Sequence, residues 1–278
     1  MIHYFIIIVL YGKQLSESSS IRSLLGFGNR LQGRCRLLVW DNSPTACNEE
    51  EIISIRQSLY WASSVEYHHN HGENLPLSTL YNRSIRQLHE DEMLVLMDDD
   101  SQFDENLFIT SDTAIQSQPE CDLFLPIVHN GNDIVSPAAM TGFKGHYFKH
   151  VLPGLMPCRH CTAINSGMII RARYLLHGFE GYDERIRFYF TDNDFMSRYT
   201  ASHTHFYVLD YHMQHKLNFY AKGESYETKS LRLKELRHSF LLLMRRRGWL
   251  MYASTRLYLF IYSIKFAIIH RDIRYISI

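Results

Sequence analysis

A chain of 278 residues in which 46% are hydrophobic is long enough for one large domain or two small ones, and it has ample material for a buried core. The 29 Lys and Arg residues equal the 29 Asp and Glu residues, so the whole-chain charge gives no reason to expect a nucleic-acid partner. Five scattered cysteines, an odd number, argue against a secreted disulfide framework and favour a reducing compartment, the cytoplasm.

Charge is divided unevenly along the chain. From Lys229 onward there are 11 Lys and Arg residues against Glu235 and Asp272, a net charge of +9, so the remainder carries −9. We therefore expect an acidic body of residues 1–225 and a basic tail of residues 226–278.

The first half of the chain alternates buried strands with an amphipathic helix. Residues 2–10 form a continuous apolar run, typical of a strand covered on both faces. The segments CRLLVWDN (35–42) and EMLVLMDDD (92–100) repeat this pattern and end in acid. Before the last segment, a helix is predicted from apolar residues that share one face: Leu77, Leu80, Tyr81, Ile85 and Leu88. This alternation predicts an α/β fold with a mostly parallel sheet.

Ligands of a parallel sheet bind beyond the carboxyl ends of its strands, where Asp41 and the triplet Asp98 to Asp100 are expected. A turn or a helix cap explains most single aspartates at such places, but three in a row exceed what a turn needs. Carboxylates this close raise one another's pKa, and Mg²⁺ or Mn²⁺ would relieve their repulsion. The spacing alone leaves both the turn and the cation open.

The second half of the chain carries less regular patterns. Four of the seven prolines fall between residues 126 and 157, which predicts a long irregular excursion. The segment INSGMIIRARYLLHGF predicts a strand and a short helix, and TDNDFMSRYTAS predicts a helix with Asp192 or Thr191 at its start. From about residue 226 there is no proline and almost no glycine, which predicts two or more helices.

The segment LVLMDDDSQFDENLF resembles the strand and D-x-D segment of family 2 glycosyltransferases with the GT-A fold, especially a bacterial rhamnosyltransferase-like group. The match places Asp98 and Asp100 at the two acids and Asp99 at the variable middle position. The resemblance implies that Asp100 binds the metal on a nucleotide diphosphate and that Asp98 faces the ribose or the metal's water shell. It also implies a single Rossmann-like GT-A domain followed by a helical tail.

Further segments match the family in the same order, so that the resemblance extends from residue 4 to about residue 218. The loop after the first strand places Tyr11 at the nucleotide, and the end of the second strand places Asp41 at the nucleobase. The segments NHGENLPLSTLYN and INSGMII resemble those beside the nucleotide and along the donor sugar and acceptor. The matching residues are Asn70, Gly72 and Asn82 in the first segment, and Asn165, Ser166 and Gly167 in the second.

The segments TDNDFMSRY and MQHKL resemble those that carry the family's catalytic base and its M-x-H-x-L-G histidine. The resemblance implies Asp192 as the base of an inverting single displacement, Asp194 as an orienting group, and His215 as a metal ligand. Thr191 stands where a Glu is frequent, which leaves the choice of the base between the two acids open. Asn218 replaces the glycine that follows H-x-L.

The resemblance therefore implies a metal-dependent hexosyltransferase that uses Mg²⁺ or Mn²⁺. It would move rhamnose or a similar hexose from a nucleotide-diphosphate sugar to a glycan or lipid-linked acceptor, in bacterial surface polysaccharide biosynthesis. Two alternatives stay open. One is a haloacid dehalogenase-like phosphatase with Asp98 as nucleophile and Asp100 as acid, and the other is a catalytically lapsed sugar-nucleotide fold that serves as a scaffold.

The tail mixes apolar and basic residues throughout. Arg256 and Lys265 interrupt the apolar run after Trp249, which favours a helix lying in the membrane interface over one that spans the bilayer. Its basic residues suit an anionic surface, so peripheral contact with the inner face of the cell membrane is expected. The alternatives are helices packed on the catalytic domain and a homodimer interface.

Overall fold

Strands and helices alternate in the first half of the computed structural model, which describes residues 1–142, 144–215 and 225–277. The strands are β1 His3–Leu10, β2 Cys35–Asp41, β3 Ser64–His69, β4 Glu92–Asp98, β5 Ser101–Gln102, β6 Leu123–Asn130, β7 Asp133–Ser136, β8 Ala138–Thr141, β9 Lys144–Tyr147, β10 Gly154–Pro157, β11 Cys161–Thr162, β12 Ile169–Arg171 and β13 His205–His215. The helices are α1 Ser19–Leu25, α2 Glu49–Ser58, α3 Leu77–Ile85, α4 Asn106–Ser117, α5 Thr191–Ser202, α6 Tyr226–Arg246 and α7 Trp249–His270.

The main sheet has the strand order β10–β13–β6–β12–β4–β1–β2–β3, with β5 paired to β13 and β7 paired to β6. Strands β4, β1, β2 and β3 run parallel, β12 lies antiparallel between β4 and β6, and β13 runs parallel to β6. A smaller sheet has the order β11–β8–β9. The mixed α/β architecture with a mostly parallel sheet confirms the predicted fold class.

Strand β1 lies between β4 and β2, and both faces of the sheet are covered at this point. Ile6, Ile7 and Ile8 are fully buried. Ile6 and Ile8 pack in a cluster that contains Phe108 of α4, whereas Ile7 faces the opposite side and packs in a cluster that contains Leu80 of α3. A strand covered on both faces has no polar positions, which is why its sequence is a continuous apolar run.

The predicted strands at 2–10, 35–42 and 92–100 and the helix that begins near residue 77 are confirmed. Strand β3 was not predicted because it lies at the edge of the sheet, with half-exposed polar residues that hide the alternation. The prediction of an irregular excursion between residues 126 and 157 is wrong, since this segment forms β7 to β10 and most of β6. Four-residue strands are too short to show a period, and β10 pairs with β13, which is distant in sequence.

The two predicted tail helices are α6 and α7, and α6 packs against the body of the protein. The rings of Phe190 and Phe240 stack with their centroids 4.8 Å apart. Arg187 Nε also lies 3.6 Å from Glu235 Oε1. The first tail helix therefore contacts the body directly, and a division into two domains near residue 225 stays a prediction.

Helix α7 leaves large apolar side chains exposed along its length. Trp249 is 75% exposed, Leu257 61%, Ile261 56% and Ile268 71%. Within the described ranges, none of the helices has the length and hydropathy that a bilayer crossing requires.

Candidate active site

Two distant segments meet at the carboxyl end of β4. Asp98 is the last residue of β4, and Ser101 of β5 then pairs with His215 at the end of β13. His215 Nδ1 lies 3.1 Å from Asp100 Oδ1, and His215 Nε2 lies 3.7 Å from Asp98 Oδ2. The pairing of β5 with β13 therefore brings the histidine of the MQHKL segment to the D-x-D acids. Asn218 lies outside the described residues.

Asp98, Asp100 and His215 form a cluster with the donor atoms of a divalent cation site. Each residue offers one ligand atom, and these atoms lie within 4.8 Å of one another. Asp100 Oδ1 is buried and accepts no hydrogen bond from the part of the chain that the structure describes. Carboxylate oxygens and an imidazole nitrogen suit Mg²⁺ or Mn²⁺, so the residues present fit the predicted ion.

The triplet carries more negative charge than its surroundings compensate. Burial raises the pKa of Asp98 to about 6, and the charges of Asp100 and Asp99 add to this effect while His215 opposes it. Burial lowers the pKa of His215, but the close approach of Asp100 and the charges of Asp98 and Asp99 raise it overall. Asp99 is paired with Lys13, whose Nζ lies 2.8 Å from Asp99 Oδ1. Asp98 and Asp100 thus belong to the cluster with His215, whereas Asp99 pairs with Lys13.

Two serines at the start of α1 hold the backbone of the triplet. Ser18 Oγ donates to the Asp99 carbonyl at 2.8 Å, and Ser20 Oγ donates to the Asp98 carbonyl. Neither these serines nor Lys13 is among the site residues predicted from the sequence. The sequence feature that could have indicated the serines is the run SESSS, directly after the first strand and its loop. Hydroxyl groups at this place can form hydrogen bonds with the backbone at the end of a neighbouring strand.

Residues 165–167 connect the end of β4 to the start of α5. Ser166 Oγ accepts the Asp98 N–H at 3.2 Å, and Asn165 Nδ2 donates to Thr191 Oγ1 at 2.8 Å. Asn165 Oδ1 is buried and has no hydrogen-bond partner among the described residues. Gly167 has a φ of +88°, and a Cβ there would lie 2.6 Å from a proline ring, so this position requires glycine. The structure therefore places these three predicted residues beside the acidic cluster.

Asp192 is half-buried at the start of α5. Its Oδ1 accepts the Asn193 N–H at 2.7 Å. Burial raises the pKa of Asp192 to about 7, the Asn193 N–H opposes this shift, and the charge of Asp98 adds to it. A carboxyl group with this pKa exchanges its proton near neutral pH.

Asp194 is fully buried and is held by three donors from separate parts of the chain. It accepts the Asp183 N–H at 3.1 Å and Arg198 Nε at 3.2 Å, and Arg246 Nη1 also donates to it. These contacts join the loop before α5, α5 itself and α6. All three donors belong to the protein, so Asp194 is tied into the fold.

The polar residues that follow β2 and β3 form a buried network. Asp41 is fully buried, its Oδ1 accepts the Ser43 N–H at 2.8 Å, and its Oδ2 accepts the Tyr67 hydroxyl at 2.5 Å. Asn70 Nδ2 donates to Asn42 Oδ1 at 2.6 Å. Strand β1 separates β2 from β4, so the network lies about 10 Å, two strand spacings, from the acidic triplet along the same edge.

The remaining predicted nucleotide residues have different surroundings. Asn82 Oδ1 accepts the Tyr182 N–H at 2.8 Å, and its Nδ2 donates to the Tyr182 carbonyl at 3.0 Å. Gly72 has a φ of +83°, and a Cβ there would lie 3.2 Å from the Pro44 carbonyl oxygen. Tyr11 follows β1 and is 54% exposed. Asn82 thus braces α3 against a loop, whereas Tyr11 presents its ring at the sheet edge.

No family model matches the chain, and no curated protein matches it. Solved structures do match. S. aureus TarS 1-349 in complex with UDP gives a TM-score of 0.57 at 13% identity, over 87% of this chain and 65% of that one. The structure of GalNAc-T7 with UDP, GalNAc and Mn²⁺ matches with a TM-score of 0.56 at 12% identity, over 85% of this chain and 47% of that one.

A third match is the mannosyltransferase PcManGT from Pyrobaculum calidifontis in complex with GDP-Man and Mn²⁺, with a TM-score of 0.51 at 13% identity, over 93% of this chain and 70% of that one. The chain has the GT-A fold. At these identities the likeness is one of fold, and the chain spans less than two thirds of TarS 1-349 and of GalNAc-T7. Membership of family 2 and of the rhamnosyltransferase-like group stays a prediction.

The surroundings of the two acids in this GT-A fold predict that their substitutions affect stability to different extents. Asp194→Asn should lower the free energy of unfolding by about 1–3 kcal/mol, because it removes the charge that Arg198 and Arg246 contact and both of these are partly exposed. Asp192→Asn should change it by less than about 1 kcal/mol, because the Asn side chain still accepts the Asn193 N–H. Urea unfolding of the two variants measures this difference, and equal midpoints would contradict the assignment of Asp194 to the fold.

Proposed function

We propose that this chain is a metal-dependent hexosyltransferase that transfers a sugar, rhamnose or a similar hexose, from a nucleotide-diphosphate sugar with inversion at the anomeric carbon. The acceptor would be a glycan or a lipid-linked glycan of bacterial surface polysaccharide biosynthesis. The observation that carries the proposal is the Asp98, Asp100 and His215 cluster at the carboxyl end of β4 in a GT-A fold. Three structures with this fold hold UDP or GDP-Man, which supports a nucleotide-sugar donor.

The acidic cluster supplies the metal ligands in this proposal. Asp100 and His215 would hold the ion, and Asp98 would face the ribose or the ion's water shell. When bound, Mg²⁺ or Mn²⁺ would neutralise the charge that develops on the departing diphosphate. The hydroxyl of Ser101, 3.2 Å from His215 Nδ1, would help to orient the imidazole beside the two acids.

Asp192 is the proposed base. In this role its carboxylate removes the proton from the acceptor hydroxyl as that oxygen attacks the anomeric carbon from the side opposite the diphosphate. Its raised pKa makes it a stronger base than an exposed aspartate. Asn165, Ser166 and Gly167 would lie along the donor sugar, and the bond from Asn165 to Thr191 would keep this segment next to the base.

The nucleoside would lie over the ends of β1 and β2. Tyr11 offers an exposed ring for contact with the nucleobase. The network around Asp41 and Asn70 would shape the surface beneath the nucleoside. Gly72 allows the turn after β3 to pass close to the neighbouring loop. Asn82 contributes by bracing α3 rather than by a free amide group.

The two alternatives have less support. A phosphatase with Asp98 as nucleophile and Asp100 as acid normally has its acidic strand at the start of the domain, whereas β1, β2 and β3 precede β4 here. A catalytically lapsed scaffold requires neither the acidic cluster nor a second acid with a raised pKa at the start of α5.

Donor binding should depend on the metal and on Asp100. With Mn²⁺, the preferred nucleotide diphosphate at about 100 times its dissociation constant should stabilise the fold by about 2.7 kcal/mol, which raises the melting temperature of a chain of this length by about 5 °C. Asp100→Asn and added EDTA should each abolish this shift. Asp99→Asn is the matched control, since Asp99 pairs with Lys13 outside the cluster, and it should keep the shift. A metal-independent shift, or one lost equally in both variants, would count against the metal assignment.

Turnover should depend on Asp192 in its ionised form. Asp192→Asn should reduce release of the nucleotide diphosphate by about 10²- to 10⁴-fold while donor binding, measured by thermal shift, is preserved. Because the base acts only when deprotonated, kcat/KM of the natural chain should rise with pH and level off above a midpoint near 7. Retained turnover in Asp192→Asn would contradict the assignment of Asp192 as the base.

We further propose that α7 holds the enzyme at the inner, cytoplasmic face of the cell membrane. Its exposed apolar side chains form a face along the helix, and Arg256 and Lys265 are also exposed on it. A helix with this composition suits the interface of an anionic bilayer. The packing of α6 on the body would carry α7 with the catalytic site.

Vesicle sedimentation of the full chain tests the role of α7. The chain should sediment with vesicles of phosphatidylcholine and phosphatidylglycerol. The double variant Phe260→Glu/Ile261→Glu should lower the affinity for these vesicles at least about tenfold, because it places charge in the apolar face. Leu152→Glu is the control, since Leu152 is 82% exposed and does not belong to the tail residues 226–278. If the variant instead dissociates a homodimer in analytical ultracentrifugation without changing sedimentation, α7 is a dimer interface and the membrane proposal is wrong.

A further inference from the structure

A cavity of about 410 Å³ lies beside the start of α5, outside the acidic cluster. Its walls come from the small sheet, from α5 and from the turn between α6 and α7. Asn193, which follows the proposed base directly in sequence, lines the cavity and donates from Nδ2 to Thr162 Oγ1 at 2.5 Å. The cavity is therefore next to the place where the acceptor hydroxyl would be deprotonated.

Basic side chains line the cavity without acidic ones. Arg159, His160 and Arg247 contribute to the walls, and no carboxylate stands among the described lining residues. Arg159 and Arg247 belong to segments that are distant in sequence, so the fold has brought their guanidinium groups to one cavity. Guanidinium groups are suited to phosphate because they offer paired N–H donors in a plane.

Contacts with the backbone shape the cavity wall at Arg247 and at His160. Arg247 Nη1 donates to the Gly142 carbonyl at 2.8 Å, which ties the α6–α7 turn to the small sheet. His160 has a φ of +60°, a conformation that costs a residue other than glycine about 1–3 kcal/mol. Its carbonyl accepts the Met140 N–H at 2.6 Å, which supports the turn.

The cavity also has an apolar wall, to which α7 contributes one residue. Met140, Met196 and Met251 line it, and Met251 is in the first turn of α7, close in sequence to the exposed Trp249 and Leu250. A ligand with one phosphate group and an apolar or sugar portion would match this combination of walls.

We infer that this cavity binds the phosphate group of the acceptor, with Arg159 and Arg247 as its donors. The description of the ligand as an acceptor rests on the proposed function, whereas the anion site does not. The acceptor is accordingly a phosphate-bearing molecule, either a lipid phosphate or a phosphorylated glycan, rather than a neutral sugar. Arg159 and Arg247 are thus specificity-determining residues, and they act at a site distinct from that of the donor diphosphate.

Cys161 provides a direct readout of this cavity. It lines the cavity and is half-buried, whereas the other four cysteines are buried. The rate at which N-ethylmaleimide alkylates Cys161, followed by mass spectrometry, should fall when the cavity is filled. The experiment uses the full chain in EDTA, so that phosphate does not collect on a metal at the acidic cluster. The probes are farnesyl phosphate, farnesol and glucose 1-phosphate.

Phosphate-bearing probes should protect Cys161, and farnesol should not. Arg159→Gln/Arg247→Gln should raise the half-protective concentration by about 10- to 100-fold, because charge-assisted hydrogen bonds are lost. Arg30→Gln, which removes an exposed arginine that pairs with Glu105, should leave it unchanged. Stronger protection by farnesyl phosphate identifies a lipid phosphate, and equal or stronger protection by glucose 1-phosphate identifies a phosphorylated glycan.

Three results would overturn the inference: no protection by either phosphate, equal protection by farnesol, or protection that the double variant leaves intact. Failure of the proposed function is a separate result, since it would be seen as the absence of metal-dependent nucleotide binding in the thermal-shift experiment. The two outcomes are therefore distinguishable.

Discussion

The repulsion among three adjacent carboxylates at the end of a buried strand is the constraint on which the site depends. Asp99 is compensated by Lys13, and Asp100 by His215, which the last strand of the main sheet carries back to the triplet. Asp98 lies 3.7 Å from the same imidazole, and burial together with the charges of Asp100 and Asp99 still raises its pKa. A divalent cation is the natural complement of this arrangement, because it satisfies the two acids that face the cluster without disturbing the third.

The same electrostatic logic separates the two acids of α5. Asp194 is fully buried and is stabilised as a carboxylate by Arg198 and Arg246, so its charge supports the fold. Asp192 has no such arginine among its described contacts, and burial together with the charge of Asp98 raises its pKa to about 7. Two residues of one motif thus have different surroundings, because Asp194 lies in an ion-pair network whereas Asp192 is close enough to Asp98 to feel its charge.

The tail is connected to this site through its basic residues. Arg246 of α6 bonds Asp194 and Asp183, and Arg247 bonds the small sheet and lines the cavity beside Asn193. A segment that looks like an appended anchor in the sequence therefore contributes to the walls of the proposed acceptor region. Membrane contact through α7 and recognition of a phosphate-bearing acceptor would then involve two faces of the same helical hairpin.

The sequence by itself determined the buried strands, the order of the motifs and the acids that end β4, because continuous apolar runs and short acidic motifs are local patterns. It also indicated the GT-A fold class, which the matching structures confirm. It missed the short strands after residue 126, since their pairing partners are distant in the chain. The donors to Asp194 and the Asn82 brace depend on similarly distant contacts. Only the tertiary structure decided that His215 lies within 3.1 Å of Asp100 and that Arg159 and Arg247 share one cavity, because such contacts follow from strand pairing and helix packing rather than from spacing along the chain.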